Sequence, residues 1–110
     1  MKVAVATDSG QVSAHFGRCA EYTLADIENA KVVKTGVIPN PGHEPGVLPR
    51  YLAEKGVKVI ICGGAGPKAQ AIFAQEGIQV RMGVFGPVDA ALEQFAAGIL
   101  TQGESTCDHD

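Results

Sequence analysis

Residues 57–69 constrain this chain more than any other stretch. Val57–Ile61 is a short β-branched run that meets Cys62-Gly63-Gly64-Ala65-Gly66 and then Pro67. The run does not alternate apolar with polar residues, so it reads as a strand covered on both faces. Gly63, Gly64 and Gly66 remove three side chains where the chain must turn, which lets backbone N–H groups come close to a ligand. Pro67 suits the first position of a helix, where its missing N–H costs nothing. A strand, a glycine turn and a helix in this order belong to an open α/β sheet. In such sheets ligands gather beyond the carboxyl ends of the strands, and a helix N-terminus there favours an anion. Cys62 stands at that end and is placed to offer a thiolate to the same crevice.

The flanking segments extend the sheet. Residues 2–7 read as a first strand, closed by the turn signal Asp8-Ser9-Gly10. Residues 21–28 and 31–38 read as two strands joined through Asn29-Ala30, a link short enough to make them an antiparallel hairpin. After the proline-rich loop that holds His43, a first helix starts between Val47 and Pro49, with Val47, Leu48, Tyr51 and Leu52 on its buried side and Gly56 as its stop. A second helix runs from Pro67 to about residue 76, with Ala69, Ile72 and Phe73 inward and Gly77 after it. A strand follows over residues 78–84. Gly86-Pro87 then opens a third helix, in which Val88, Ala91, Leu92, Phe95 and Ile99 keep helical spacing. The order β-β-β-α-β-α-β-α predicts an α/β fold, a five-stranded mixed sheet flanked by helices. One domain over residues 1–100 and a flexible polar tail over residues 101–110 are expected.

Composition excludes several classes. With 110 residues, 45% hydrophobic and 19% charged, the chain is an ordinary globular protein, and its net charge of −3 gives no platform for nucleic acid. Only 5% is aromatic and Trp is absent, which also removes base stacking. The apolar run after Lys2 is too short for a signal peptide or a membrane span. The cysteines are three, Cys19, Cys62 and Cys107, with no C-x-x-C pair. That argues against a disulfide framework and for a reducing cytoplasm.

Four constellations carry chemistry. The loop His15-Phe16-Gly17-Arg18-Cys19 offers an imidazole and a thiol, both ligands for soft metals, beside a guanidinium that attracts anions. Its plainer reading leaves His15 and Arg18 as surface residues and puts Cys19 at the start of a core strand. The second is Cys62 with the glycine turn, set against a small buried residue. Gly64-x-Gly66-x-x-Ala69 lacks the acidic residue that completes a dinucleotide fingerprint. The third, Cys107-Asp108-His109-Asp110, offers side chains that can coordinate a metal, but a lone C-x-H in a polar tail is more often an unstructured terminus. The fourth is Asp8, which would need further converging acids to hold catalytic divalent ions, so a turn or capping role suits it better. Asp26 and Glu28 lie on a neighbouring strand, where Asp26 alternates with Ile27 and suits a solvent-facing position equally well.

These residues together resemble the dinitrogenase iron–molybdenum cofactor biosynthesis family. The matching pieces are residues 3–8, Val12-Ser13-Ala14-His15-Phe16-Gly17-Arg18, Asn40-Pro41, residues 48–53, residues 56–66, and the last helix with Gly98-Ile99-Leu100. The resemblance implies a ribonuclease-H-like, three-layer fold without ribonuclease activity. It implies a non-enzymatic carrier of an iron–sulfur or iron–molybdenum–sulfur cluster, or its precursor, bound transiently during metallocofactor assembly. His15, Phe16, Gly17, Arg18, Cys62, Gly63, Gly64 and Gly66 would form the site, with His15 and Cys62 nearest the metal. Partners would be cluster-donating and cluster-accepting proteins, with the chain a monomer or weak dimer and neither nucleic acid nor membrane involved. Two rival readings are a divalent-metal phosphoesterase built on Asp8 and a cofactor-free regulatory interaction module.

Overall fold

The computed structural model describes residues 1–42 and 47–100. Its elements run β1 Lys2–Asp8, β2 Gln11–Val12, β3 Glu21–Glu28, β4 Lys31–Pro39, α1 Val47–Glu54, β5 Val57–Ile61, α2 Pro67–Gln75, β6 Gln79–Arg81 and α3 Val88–Ala96. The six strands form one mixed sheet in the order β4-β3-β1-β5-β6, with β2 paired to β1 off that path. β1 is antiparallel to β3 and parallel to β5, so it is the central seam of the sheet.

Alternation along β1 sorts its side chains between two cores. Ala4 and Ala6 face the cluster that holds Leu48 and Leu52 of α1 and Phe73 of α2. Val3 and Val5 face the cluster that holds Val88, Ala91 and Leu92 of α3. Helices therefore cover both faces, α1 and α2 on one and α3 on the other.

Three local differences from the sequence reading have clear causes. The sixth strand, β2, is two residues long, too short to show a period; it exists because Ser9 and Gly10 take φ of 49° and 79° and fold Gln11 back onto Asp8. The last strand stops at Arg81 and not near residue 84. Gly83 there takes φ of 71°, and the chain bends so that the N–H groups of Gly83 and Val84 donate to the carbonyls of Gly63 and Cys62. Helix α3 ends at Ala96, leaving Ile99 68% exposed and off the buried stripe. Its stop is a Schellman motif: Ile99 N–H donates to Gln94 O at 2.9 Å and Gly98 N–H to Phe95 O at 3.0 Å. The same motif ends α2, where Ile78 N–H reaches Phe73 O at 2.9 Å. Phe73 is the fully buried residue of that helix, while Ala69 and Ile72 are only partly covered.

The β3–β4 link is the expected tight hairpin. Asn29 and Ala30 both take positive φ, 52° and 63°, as a two-residue turn between right-twisted strands requires. His43 and Glu44, and the whole of residues 101–110 with Cys107 and His109, lie outside the described residues.

Candidate functional site

The loop after β2 and the turn after β5 are one structure. Phe16 N–H donates to Gly64 O at 2.8 Å, and Gly63 N–H donates to Ser13 O at 2.7 Å. A Cβ placed on Gly63 would stand 2.7 Å from Ala14 Cα, so the loop backbone lies where a side chain would have to be. This changes the reason for the glycine. Gly63 is small so that the 13–18 loop can lie against it, and its N–H serves that loop and not a ligand. All four turn residues, 63–66, are buried.

The side chains of the loop divide. His15 and Arg18 are exposed, Gly17 is half-buried, and Phe16 is 3% exposed. Phe16 points into the α1/α2 core, its ring 4.7 Å from Phe73 in an edge-on arrangement and 5.7 Å from Tyr22. Pinning Phe16 inward makes its neighbours on the loop point outward. Ser13 supports the same geometry: its hydroxyl donates to His15 O at 3.1 Å and accepts from His15 N–H at 3.2 Å. Cys62 is fully buried and sits in that core, so its thiol lies beneath the loop and not in an open crevice. The structure thus joins the two segments by their backbones but sets His15 and Arg18 outside and Phe16 and Cys62 inside.

Two residues that sequence reasoning does not place at the site hold the loop. Asn40 follows β4, and its side-chain amide donates to Gly17 O at 3.1 Å and Cys19 O at 2.9 Å. Its Oδ1 accepts from Gly42 N–H at 2.9 Å. The only hint in the sequence is an Asn-Pro pair at a strand end. Tyr22 on β3 donates its hydroxyl to Phe16 O at 2.8 Å, and Cys19 donates its thiol to the same oxygen at 3.4 Å. Burial raises the pKa of Cys19, and burial together with both nearby thiols raises that of Tyr22.

Helix α2 begins beside this junction. Gly66 caps it in an extended conformation with Pro67 in the first turn, and Lys68 next to it is exposed. The positive end of the helix, Lys68 and Arg18 therefore belong to segments that meet at the Phe16–Gly64 bond. Asp8 plays a different part. It is exposed, and its carboxylate accepts Ala20 N–H at 2.8 Å, fixing the entry to β3. Asp26 pairs with Lys2 at the opposite end of β1, roughly 20 Å away at the usual rise of a strand. Asp8 and Asp26 therefore do not converge on a shared ion. Among the described residues no three of His, Cys, Asp or Glu come together to hold a metal. A separate groove of about 420 Å³, lined by Thr7, Glu21, Thr23, Lys34 and Asp89 among others, opens toward α3 and is not part of this junction.

The family model described as dinitrogenase iron-molybdenum cofactor matches residues 1–98. The chain belongs to that family. An uncharacterized protein of Methanocaldococcus jannaschii is 34% identical over 109 residues, covering 94% of this chain and 92% of its own. The crystal structure of PH0822 superposes with a TM-score of 0.86 at 32% identity, covering 93% of this chain and 94% of that one. The apo form of the orange protein from Desulfovibrio gigas superposes with a TM-score of 0.76 at 26% identity, covering 93% and 92%. The six-stranded sheet with helices on both faces is thus the fold that this family shares with solved structures. Among the described residues of this member, no helix is long and apolar enough to cross a membrane.

Proposed function

We propose that this chain binds an anionic iron–sulfur or molybdenum–iron–sulfur cluster, or its precursor, and passes it between a donor and an acceptor protein during cofactor assembly. The observation that carries the reading is the backbone junction of the 13–18 loop with the glycine turn, which turns His15 and Arg18 out to solvent beside the start of α2. Arg18, Lys68 and the helix N-terminus supply positive potential for a negatively charged cargo. His15 supplies one soft, exchangeable donor. A cage of several protein ligands is not what this face offers, and a grip made of charge with one exchangeable bond suits a cargo that must leave again. The family to which the chain belongs supports the cofactor class, and no chemical transformation of the cargo is part of the role.

Anaerobic loading with a synthetic anionic iron–sulfur cluster tests this. Wild type should retain visible absorbance and metal through gel filtration. His15→Ala and Arg18→Ala should each bind roughly tenfold more weakly, the value of one charge-assisted contact. Raised salt should weaken wild type, and Arg18→Ala by less, because only Lys68 and the helix N-terminus are then left to be screened. Equal loading of all three proteins would reject the assignment.

A further inference from the structure

The aliphatic filling under α3 stops short of the carboxyl end of β1. Val3 and Val5 belong to that core, but the next residue of β1 on the same face is Thr7. Opposite, the same face of β3 runs Ala25, Thr23, Glu21, with Glu21 paired to Thr7. Thr7, Thr23 and Glu21 line the groove of about 420 Å³ that opens between β4 and the start of α3. That volume is within the ordinary range for small-molecule pockets. The α3 wall is fixed in place, because Val88 N–H donates to Gly10 O at 3.0 Å. Proton accounting decides what the groove can hold. Thr7 and Thr23 are both buried, and the Thr7 hydroxyl donates to Val5 O at 2.7 Å. Its proton is then spent, so in the 2.8 Å contact between the two hydroxyls Thr23 must be the donor. The threonine floor can therefore accept hydrogen bonds and has none left to donate. Half-buried Glu21 adds a carboxylate without a hydrogen bond or ion pair among the described residues. Lys34 brings an ammonium to the groove, but Asp89 holds it at 2.8 Å. Asp89 also sets a carboxylate against the positive end of α3.

We propose that this groove binds a small primary alkylamine, its ammonium donating to the Glu21 carboxylate and to Thr23 Oγ1, its methylene chain lying along Val37, Pro87 and Val88. An ammonium has three donors and no acceptor, the inverse of the threonine floor. Lys34 is a precedent within the chain itself, since its alkylammonium already lies at the groove against a carboxylate. Charge also balances. Glu21 and Asp89 against Lys34 leave the empty groove one negative charge, and one bound ammonium neutralises it. A carboxylate or phosphate ligand would meet two acids and a floor that cannot donate, so an anion is disfavoured here by charge and by hydrogen bonding alike. The groove shares no residue with the outward face of the 13–18 loop, and amine binding does not depend on cargo binding there.

The test is amide and methyl shift mapping of the labelled full chain, titrated with n-butylamine near neutral pH at fixed ionic strength. Saturable shifts are expected on Thr7, Glu21, Thr23, Val37 and Val88. Two further probes separate the contributions: tetramethylammonium has the charge without N–H donors, and butyrate has the chain with the opposite charge. Each should bind about tenfold more weakly than the amine or worse. Glu21→Gln should need roughly tenfold more amine for half-saturation, and Thr23→Val roughly threefold more. Lys34→Met should bind about threefold more tightly, because a like charge leaves the groove and Asp89 is freed. Should Thr23→Val fail to keep the amide spectrum of the folded chain, Glu21→Gln and Lys34→Met, both away from the buried floor, still carry the test in opposite directions. Absent or non-saturating shifts with n-butylamine would overturn the proposal. So would butyrate binding as tightly as the amine, or Glu21→Gln binding the amine as wild type does.

Discussion

On the face covered by α3 the core is aliphatic: Val3, Val5, Val59, Ile61, Val84, Val88 and Leu92 fill it. On the face covered by α1 and α2 the core holds Phe16, Tyr22, Phe73, Cys19 and Cys62. The same strand, β1, supplies small alanines to the second face and valines to the first. Bulk from the strand itself closes the α3 side, whereas the α1/α2 side is left shallow and is filled from above by a loop residue. A face closed by its own strands serves stability alone. A face closed by a loop ties the conformation of that loop, and whatever the loop holds, to the packing beneath.

The widest separation between the two faces should come from paired truncations. Phe16→Ala should cost about 3–5 kcal/mol and Leu92→Ala about 2–5 kcal/mol in urea unfolding. Only Phe16→Ala should weaken cluster loading measured well below its melting temperature. If Leu92→Ala weakened loading as much, the division between the faces would not hold. Gly63→Ala should cost roughly 1–3 kcal/mol, since its methyl meets the backbone of Ala14 and one of the two segments must move. It should also displace the amide resonances of residues 13–16, and a variant with unchanged resonances would mean that the junction does not set the loop.

Alkaline unfolding sharpens the same contrast. Cys19 and Tyr22 keep their protons in the folded chain above the ordinary values of 9.0 and 10.0 at which the unfolded chain releases them. Stability contributed by keeping these groups neutral is therefore complete below pH 9.0 and falls as pH rises beyond it. Tyr22→Phe should flatten that fall, and a fall as steep as that of wild type would argue that the α1/α2 core does not bury these groups. The smallest effect lies far from both cores. Ala30 takes φ of 63° in the β3–β4 turn, so Ala30→Gly should stabilise by up to about 1 kcal/mol, with no change in loading.

Much of this is legible in the residues. The β5–turn–α2 unit, the tight β3–β4 hairpin and the two flanking helix–strand units announce themselves through glycines, prolines and uninterrupted β-branched runs. The 13–18 loop and the glycine turn stand out as the chemical stretches of the chain. Their pairing does not, because it rests on Phe16 N–H, Ser13 O and the missing Cβ of Gly63, and backbone hydrogen bonds between distant segments leave no period in a sequence. Nor can the sequence tell which of His15, Phe16 and Arg18 faces inward, since a loop has no repeat to count. Its place after the last residue of a strand suggests a crevice for Cys62. Its full burial, in the cluster that also holds Ala6 and Phe73, shows instead that it faces the core. Asn40 and Tyr22 are hidden for a related reason: each acts on the loop from an element between 6 and 23 residues away, through one or two side-chain atoms.

An anionic cargo should sit against the outward face of the loop and the start of α2. Amide shift mapping of the uniformly labelled full chain during titration with tetrathiomolybdate, a simple anionic molybdenum sulfide, addresses this directly. The largest shifts should fall on residues 14–18 and 64–68, shrink as salt is raised, and need roughly tenfold more ligand to develop in Arg18→Ala. Shifts confined to the groove between β4 and α3, around Thr23 and Lys34, would contradict it.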